Sequence, residues 1–379
     1  METKNTGWPD LRDLAYILIL FLVTRVALSA LGVAVRVAYW GDATGSVEAF
    51  TNAWDVWDGH WYINIARDGY SAVPVNQVNM ANYAFFPLYP LLVRLAAFAV
   101  GNYALAGFVV SNVCLLVACY YLYRYVALDE AADRATARRS VRYLLLFPTA
   151  FLFSAVLSEA LFVALAIACL YYARRGNWLV AGPLGFLVPL TRLPGLAIVV
   201  PLAYDYLRQR WPAFPRPDIR RLASPWLVAL LLPPLGLGLW MAFNYHLTGD
   251  LLAFVHIQST WGGKFVLPPV ELVARLDPMN GYIFTGALFT IVALVIMLIF
   301  YKKVDFGAWL LGVLLIVIPL FSAQSCYSML RYLTVVFPLC IIFAKLTKDW
   351  KVDLVLSAAF IALQVVLMVV WTTWSPLIV

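Results

Sequence analysis

The sequence predicts an all-α, polytopic membrane protein with about eleven transmembrane helices and a single domain over residues 1–379. Of its 379 residues, 64% are hydrophobic and 12% are charged, whereas soluble domains carry about 25% charged residues. So few charged side chains cannot cover a soluble protein of this size. At about 20 residues per spanning helix, the length accommodates roughly ten to twelve spans, and a soluble enzyme is excluded.

Eleven apolar runs account for the expected spans. Arg and Lys concentrate in the short loops between them, and such loops are expected on the cytoplasmic side of the membrane. The net charge of +7 therefore reflects the basic loops that orient the protein in the membrane, and no nucleic-acid partner is expected. The runs are 14–40, 104–126, 141–157, 159–174, 178–191, 193–207, 225–244, 282–301, 306–322, 332–346 and 353–374.

Segment 86–100, FPLYPLLVRLAAFAV, is apolar but is not counted as a span. It is short, has prolines at its start and contains Arg94, and counting it would place the following basic loops outside. We expect an interfacial or re-entrant helix here. The N-terminus is then inside, the C-terminus is outside, and two long loops, 41–103 and 245–281, lie on the outer face.

The cysteines and histidines predict neither a disulfide framework nor a metal site. The five cysteines are odd in number, form no CxxC pair and lie mostly inside apolar runs. The three histidines all fall in the predicted outer loops, but their spacing is too diffuse for a set of ligands. No metal-binding residues are therefore expected.

The first outer loop contains the strongest candidate for catalysis. Its run WDVWDGHWYINIARDGY, residues 54–70, places Asp58 among aromatic and donor-bearing side chains. A carboxylate among rings at a membrane surface is partly desolvated, which moves its pKa toward that of a general base. An aromatic belt at the membrane interface, with Asp58 as a helix N-cap residue, is the alternative. The neighbouring side chains are Trp57, His60, Trp61 and Tyr62.

Glu159 is the only acidic residue between Asp133 and Asp205, and it lies at an outer corner in the apolar stretch FSAVLSEALF. A carboxylate in such surroundings is costly unless it is paired or functional. A helix start is the alternative, with Ser154 or Ser158 as the N-cap residue and Glu159 in the first turn.

Arg192 in LTRLPG and Arg331 in YSMLRYL are cations at membrane depth on the same outer side. The guanidinium fork binds two phosphate oxygens at once, so both residues suit a phosphate or pyrophosphate group. A structural pair with Asp58 or Glu159 is the alternative.

Helix 1 carries two further cations, Arg25 and Arg36, on roughly one face. Cations within a span must face protein or a polar cavity. Arg36 lies close enough to the outer surface for its side chain to reach water. Only Arg25 is therefore expected to need an internal partner.

Five motifs occur in an order that resembles the PIG-V family of mannosyltransferases. PIG-V proteins are members of the GT-C superfamily, polytopic glycosyltransferases that take a sugar from a polyprenyl-phosphate carrier on the outer or lumenal side. In eukaryotes they add the second mannose to the glycosylphosphatidylinositol precursor from dolichyl-phosphate-mannose. The resemblance therefore implies a GT-C-type fold with interfacial helices in a large first outer loop. The motifs, between about residues 50 and 335, are WDGHWYINIARDGY, NYAFFPLYP, LFPTAFLFSAVLSEALF, TRLPG and LRYL.

The family's motif residues fall on matching positions of this chain. Pro194 stands where eukaryotic members carry Asn, and the chain is shorter and less rich in loops than they are. A bacterial or archaeal protein of the cell membrane, acting on a lipid or envelope glycan, is expected before a eukaryotic protein of the endoplasmic reticulum membrane. The positions are Trp57 and Asp58 for Trp-Asp, Phe85, Phe86 and Pro87 for Phe-Phe-Pro, Ser158 and Glu159 for Ser-Glu, and Arg331 for the late Arg.

The residues and the resemblance together predict an inverting transfer of a mannose-type sugar from a polyprenyl-phosphate carrier to a lipid or glycan hydroxyl. Asp58 is the expected catalytic residue, which deprotonates or orients that hydroxyl. Arg331 and Arg192 would stabilise charge on the departing phosphate. No cofactor is required, although a divalent metal is compatible with the scheme. The residues expected to bind substrate are Trp57, His60, Tyr62, Phe86, Glu159, Arg192 and Arg331.

The leading alternative is a membrane transporter or lipid flippase. Helices broken around Pro189, Pro194 and Gly195, next to intramembrane arginines, also mark transport pathways. The concentration of charged and aromatic residues at one face, and the lack of a repeat that relates the two halves, favour the enzyme. A different sugar or acceptor, and a non-catalytic assembly partner, stay open as well.

Overall fold

Prolines divide the apolar stretches of this protein into helices of unequal length. The computed structural model describes residues 9–73, 80–129, 131–210, 224–279, 281–323, 325–375 and 377. No strand forms within these ranges, where Phe265 and Ser322 make an isolated bridge, and the all-α class is confirmed. The helices are α1 Leu11–Val35, α2 Val47–Trp54, α3 Gly59–Asp68, α4 Leu88–Val100, α5 Tyr103–Val126, α6 Arg134–Leu146, α7 Glu159–Arg174, α8 Trp178–Leu187, α9 Val199–Arg210, α10 Val228–Thr248, α11 Ala253–His256, α12 Pro268–Ala274, α13 Gly281–Ile299, α14 Phe306–Val317, α15 Met329–Thr334, α16 Pro338–Leu346 and α17 Trp350–Thr372.

Five helical segments of the described chain are long and apolar enough to cross a bilayer. They match five of the eleven predicted runs, which supports an integral membrane protein but does not confirm eleven spans. The predicted outer loops 41–103 and 245–281 contain the shorter helices α2 to α4 and α11 to α12. The five segments are Leu11–Trp40, Tyr103–Val126, Pro225–Thr248, Gly281–Ile299 and Trp350–Thr372.

The other six predicted runs form shorter or interrupted helices. α6 ends at Leu146, just before the Phe147–Pro148 pair, and the run 193–207 begins with a 3₁₀ segment that contains Pro194. Proline lacks a backbone N–H and disfavours the helical conformation in the residue before it. Irregular backbone at membrane depth is tolerated where protein surrounds it. Several of these interrupted segments pack on α7, which is buried along nearly its whole length.

The two cations predicted in helix 1 have different surroundings, Arg25 within α1 and Arg36 just after its end. Arg25 is buried and donates to the carbonyl oxygens of Leu145 and Ala150 at 3.2 and 2.9 Å, so its expected internal partner is backbone at the end of α6. Arg36, in contrast, does not extend into water: its side chain is 10% exposed, and its Nε lies 2.8 Å from Asp42 Oδ2. The expectation for Arg36 was wrong because a wide helical turn over Arg36–Trp40 returns Asp42 to the helix end.

Segment 86–100 forms α4, which packs against the first turns of α5. The Tyr89 hydroxyl donates to the Gly107 carbonyl at 3.1 Å and lies 2.8 Å from the Ser111 hydroxyl. The 13 residues of α4 extend about 20 Å as a helix, which is less than the bilayer core of about 30 Å. The segment is therefore a short helix beside α5 with Phe98 exposed, and the sidedness of the loops stays a prediction.

Candidate active site

Segments that are distant in sequence meet at the start of α3. The backbone amide of Val156 donates to the carbonyl oxygen of Trp54 at 3.0 Å, which ties the loop before α3 to the corner before α7. Val156 also packs on Gly107 of α5, where a Cβ would lie 2.6 Å from the Val156 Cγ1 atom. The corner before α7 therefore lies tightly between α3 and α5.

A left-handed residue directs Asp58 toward this corner. Trp57 has a φ of 54°, one of two positive values among the described non-glycine residues, and bulky side chains rarely adopt it. Asp58 then precedes α3, and Tyr62 follows four residues later on the same side. The Tyr62 hydroxyl donates to Ser158 Oγ at 3.1 Å, beside the first residue of α7.

Four charged side chains meet here, and we call them the ion-pair cluster: Asp58, Glu159, Arg192 and Arg331. Arg331 of α15 donates through Nε to Glu159 Oε1 at 2.5 Å and through Nη1 to Asp58 Oδ2. Arg192 Nη1 lies 3.1 Å from the same Glu159 oxygen. Glu159 and Arg331 are buried, whereas the Asp58 side chain is 30% exposed. The cluster therefore opens to its surroundings at Asp58, and the structure contains the pairing that was the alternative to a phosphate ligand for these arginines.

Arg192 is held by weaker contacts than Arg331. Its guanidinium carbon lies over the rings of Tyr332 and Phe162 at 5.5 and 6.0 Å from their centroids. Its buried Nη1 atom lies within ion-pair distance of Glu159 Oε1 but makes no hydrogen bond within the described ranges, and Glu159 Oε2 makes none there either. Because buried polar atoms are normally paired, the ion-pair cluster retains an unused donor and an unused acceptor.

Tyr62 lies against the ion-pair cluster in an aromatic environment. Its ring makes edge contacts with Phe85 and Tyr89 at centroid distances of 5.3 and 5.1 Å. Burial raises the pKa of Tyr62 to about 12. The hydroxyl therefore stays protonated at neutral pH and serves as a hydrogen-bond donor.

The other two predicted residues of this loop contact a different part of the chain. Trp57 and His60 both contact Trp374, just after α17, at centroid distances of 5.3 and 5.4 Å. His60 Nδ1 lies 2.8 Å from Asp55 Oδ2, and this hydrogen bond raises the pKa of His60. Residues two positions apart do not share a helix face, so His60 and Asp58 diverge. The predicted substrate-binding residues are therefore divided between two sides of α3.

Phe86 lies apart from the ion-pair cluster. Its ring packs on Trp240 and Phe254 at centroid distances of 5.7 and 5.4 Å. The preceding residue, Phe85, has an extended backbone, and successive residues of an extended segment point to opposite sides. Phe85 accordingly contacts Tyr62, while Phe86 joins the apolar packing around α10 and α11.

Sequence reasoning missed Asp55, Tyr332 and Trp374. Asp55 had a signal, because Trp54–Asp55 repeats the Trp-Asp pair three residues earlier. The glycine at position 59 is a second signal for Asp55, because a Cβ there would lie 2.5 Å from Asp55 Oδ1. Trp374 had no local signal, because only the folded chain brings the end of α17 to α3.

The positive charges of the ion-pair cluster come from two arginines. In the part of the chain that the structure describes, no group of three or more His, Cys, Asp or Glu side chains is arranged to hold a metal ion. Both carboxylates of the cluster are instead engaged by Arg331.

Comparison with solved structures identifies the fold. The structure is similar to that of ArnT from Cupriavidus metallidurans bound to undecaprenyl phosphate, with a TM-score of 0.53 and 12% sequence identity. The match covers 90% of this chain and 63% of the ArnT chain, so this chain spans less than two thirds of ArnT. The fold is thus similar to that of ArnT, a GT-C glycosyltransferase.

Comparison with family models gives a second similarity. The family model described as mannosyltransferase (PIG-V) matches residues 41–200, which confirms the resemblance in the motifs. The matched range contains Asp58, Glu159 and Arg192, while Arg331 lies beyond it. No curated protein matches the chain.

Proposed function

We propose that this chain is an inverting glycosyltransferase that moves a mannose-type sugar from a polyprenyl-phosphate carrier to a lipid or glycan hydroxyl on the outer or lumenal face of the membrane. The ion-pair cluster is the observation that carries the proposal, because it joins both motif carboxylates and both motif arginines. The PIG-V match over residues 41–200 supports mannose as the sugar. The bound undecaprenyl phosphate of the ArnT structure supports a polyprenyl-phosphate donor.

Asp58 is the member of the ion-pair cluster that can meet an acceptor, since its side chain is 30% exposed. Its carboxylate deprotonates or orients the attacking hydroxyl. The acceptor oxygen forms a bond to C1 of the sugar while the bond from C1 to the phosphate oxygen breaks. Attack opposite the leaving group inverts the anomeric configuration, and positioning supplies much of the rate acceleration.

The two arginines have different roles in this scheme. Arg331 is engaged by Asp58 and Glu159, so it mainly holds Asp58 in place. Arg192 has a single ionic contact, through Nη1 to Glu159, and within the described chain this buried atom makes no hydrogen bond. Arg192 is therefore the better ligand for the phosphate of the carrier, where it stabilises the charge that develops as the phosphate departs. With arginines in this role, the reaction requires no divalent metal.

The test is transfer by the purified protein in nanodiscs from polyprenyl-phosphate-mannose to a lipid extract, with arabinose- and glucose-type donors in parallel. We expect transfer from the mannose donor, an inverted product, and no loss of rate with a metal chelator. Glu159→Gln should abolish transfer. Glu271→Gln is the matched control, because Glu271 is also buried but pairs with Arg275 outside the cluster, at 3.2 Å. A folded wild-type protein that transfers no sugar from any of these donors would contradict the proposal.

A further inference from the structure

We propose that Trp57, His60 and Trp374 form a saccharide-binding surface that begins at Trp57, the residue before Asp58, and on which the C–H face of a pyranose ring packs. We call these three residues the aromatic surface. The inference rests on the proposed function, because it names where the sugar of that reaction lies. Trp374 comes from the end of the last helix, so the surface exists only in the folded chain.

The three rings form one continuous surface. The Trp374 ring lies parallel to the His60 ring within 24°, at a centroid distance of 5.4 Å. Trp57 contacts the same indole at 5.3 Å with a tilt of 47°. The His60 side chain is 52% exposed, and both tryptophans are partly exposed. The surface is therefore accessible at its His60 end.

The backbone carries an unusual conformation at both tryptophans. Trp57 and Trp374, with φ values of 54° and 60°, are the two non-glycine residues with positive φ in the described ranges. Trp374 follows the end of α17, a position where a left-handed residue is usually glycine. Strained conformations of bulky residues persist where the surrounding structure holds them, and they cluster at functional sites. Both residues with this conformation are tryptophans, and their rings are in contact.

The His60 ring is oriented from behind by Asp55. The hydrogen bond from Nδ1 to Asp55 Oδ2, at 2.8 Å, leaves Nε2 without a hydrogen bond to any described residue. The close approach of Asp55 depends on Gly59, because a Cβ there would lie 2.5 Å from Asp55 Oδ1. A sugar ring offers an apolar C–H face that packs on indole and hydroxyls at its edge that bond to an imidazole nitrogen. The aromatic surface provides both.

The sugar can come from the donor or from a glycosylated acceptor, and the experiment separates these sources. Saturation-transfer NMR with methyl α-mannoside on the full chain in nanodiscs measures sugar contact without any transfer. The KM for polyprenyl-phosphate-mannose measures the donor. The variants are Trp374→Leu, Trp374→Phe, which keeps a ring, and Trp350→Leu. Trp350 is the matched control, because this tryptophan lies at the opposite end of α17 and is 68% exposed.

We expect Trp374→Leu to lose most of the mannoside signal, and Trp374→Phe and Trp350→Leu to keep it. A donor KM raised about tenfold in Trp374→Leu, with kcat changed less than threefold, assigns the surface to the donor sugar. An unchanged donor KM with the mannoside signal lost assigns it to the acceptor. A mannoside signal equal in wild type and Trp374→Leu, or absent from both, overturns the proposal, and Trp374 then serves as an interfacial anchor. Mannoside contact without transfer would contradict the proposed function and leave the aromatic surface standing.

Discussion

Two buried carboxylates of this protein, Asp13 and Glu159, are both fully enclosed and both paired with arginine, yet their surroundings differ. Asp13 accepts from Arg138 Nε and from the Tyr123 hydroxyl, each at 2.6 Å, so both of its oxygens are used. Glu159 accepts from Arg331 through Oε1 alone, and its Oε2 has no partner within the described chain. Asp13 therefore belongs to a structural contact between α1, α5 and α6 in which both carboxylate oxygens accept hydrogen bonds. Glu159 belongs to a cluster with polar capacity left for a substrate.

This difference teaches that burial and ion pairing alone do not distinguish a structural site from a functional one. A structural group is satisfied by its own chain, because an unsatisfied buried atom costs free energy. A site that binds a charged molecule must keep donors and acceptors unused. The ion-pair cluster fits the second description, and the following experiments test that reading.

The largest effect is expected from Arg331→Leu. The substitution leaves Asp58 and the buried Glu159 without their shared cation, and breaking such a pair costs about 3–5 kcal/mol. Arg138→Leu is the comparison, because Arg138 is 35% exposed and Asp13 keeps its tyrosine donor. We expect a larger fall in the thermal midpoint for Arg331→Leu, together with loss of transfer. Equal destabilisation by the two variants would remove the distinction between the clusters.

A smaller effect that concerns binding is expected from Arg192→Lys. Lysine keeps the positive charge but loses the planar fork that binds two phosphate oxygens. We expect the donor KM to rise about tenfold, equivalent to about 1.4 kcal/mol, with an unchanged thermal midpoint. Arg67→Lys is the control, since Arg67 is 54% exposed and pairs with Asp68. A donor KM that stays at the wild-type value in Arg192→Lys would assign the phosphate to another group.

The smallest effect concerns the His60–Asp55 pair. Asp55 raises the pKa of His60, so the pair stabilises the fold fully below the unfolded pKa of about 6.5 and loses this contribution as pH rises through the folded value. Since His60 is half exposed, the contribution is well under about 1 kcal/mol. Thermal midpoints measured from pH 5 to 8 should therefore fall slightly more for wild type than for His60→Gln. Identical pH profiles would show that the pair contributes nothing to stability.

The sequence located the charged residues of the site better than the aromatic ones. Asp58, Glu159, Arg192 and Arg331 were expected on one side of the membrane protein, because the motifs and the distribution of basic loops put their corners together. The structure brings the four side chains together, because unpaired charges at membrane depth must find one another. Trp57 and Tyr62 were assigned to one site, yet their side chains point to different parts of the structure. Side-chain direction changes with every residue, and the Trp57 backbone has a left-handed conformation.

The ends of the helices were also predicted less well from the sequence than their apolar character. Apolar composition predicts that a run lies in the membrane or the core, but not whether it continues as one helix. Pro148, Pro194 and Pro319 interrupt predicted spans, and the short segments after Pro148 and around Pro194 pack on α7. The break at Pro194 was expected from the sequence, and a proline count along the other runs would have identified those at Pro148 and Pro319, whereas the contact of Trp374 with α3 depends on tertiary packing alone.

The most direct test of the central claim compares sugar transfer by Asp58→Asn and Asp68→Asn. Both aspartates belong to the α3 region and pair with an arginine, but Asp68 is 60% exposed and lies outside the ion-pair cluster. With matched folding, we expect Asp58→Asn to lower kcat by roughly 10²- to 10⁴-fold and Asp68→Asn to keep the wild-type rate. Transfer by Asp58→Asn at the wild-type rate would contradict the account and move the chemistry away from this cluster.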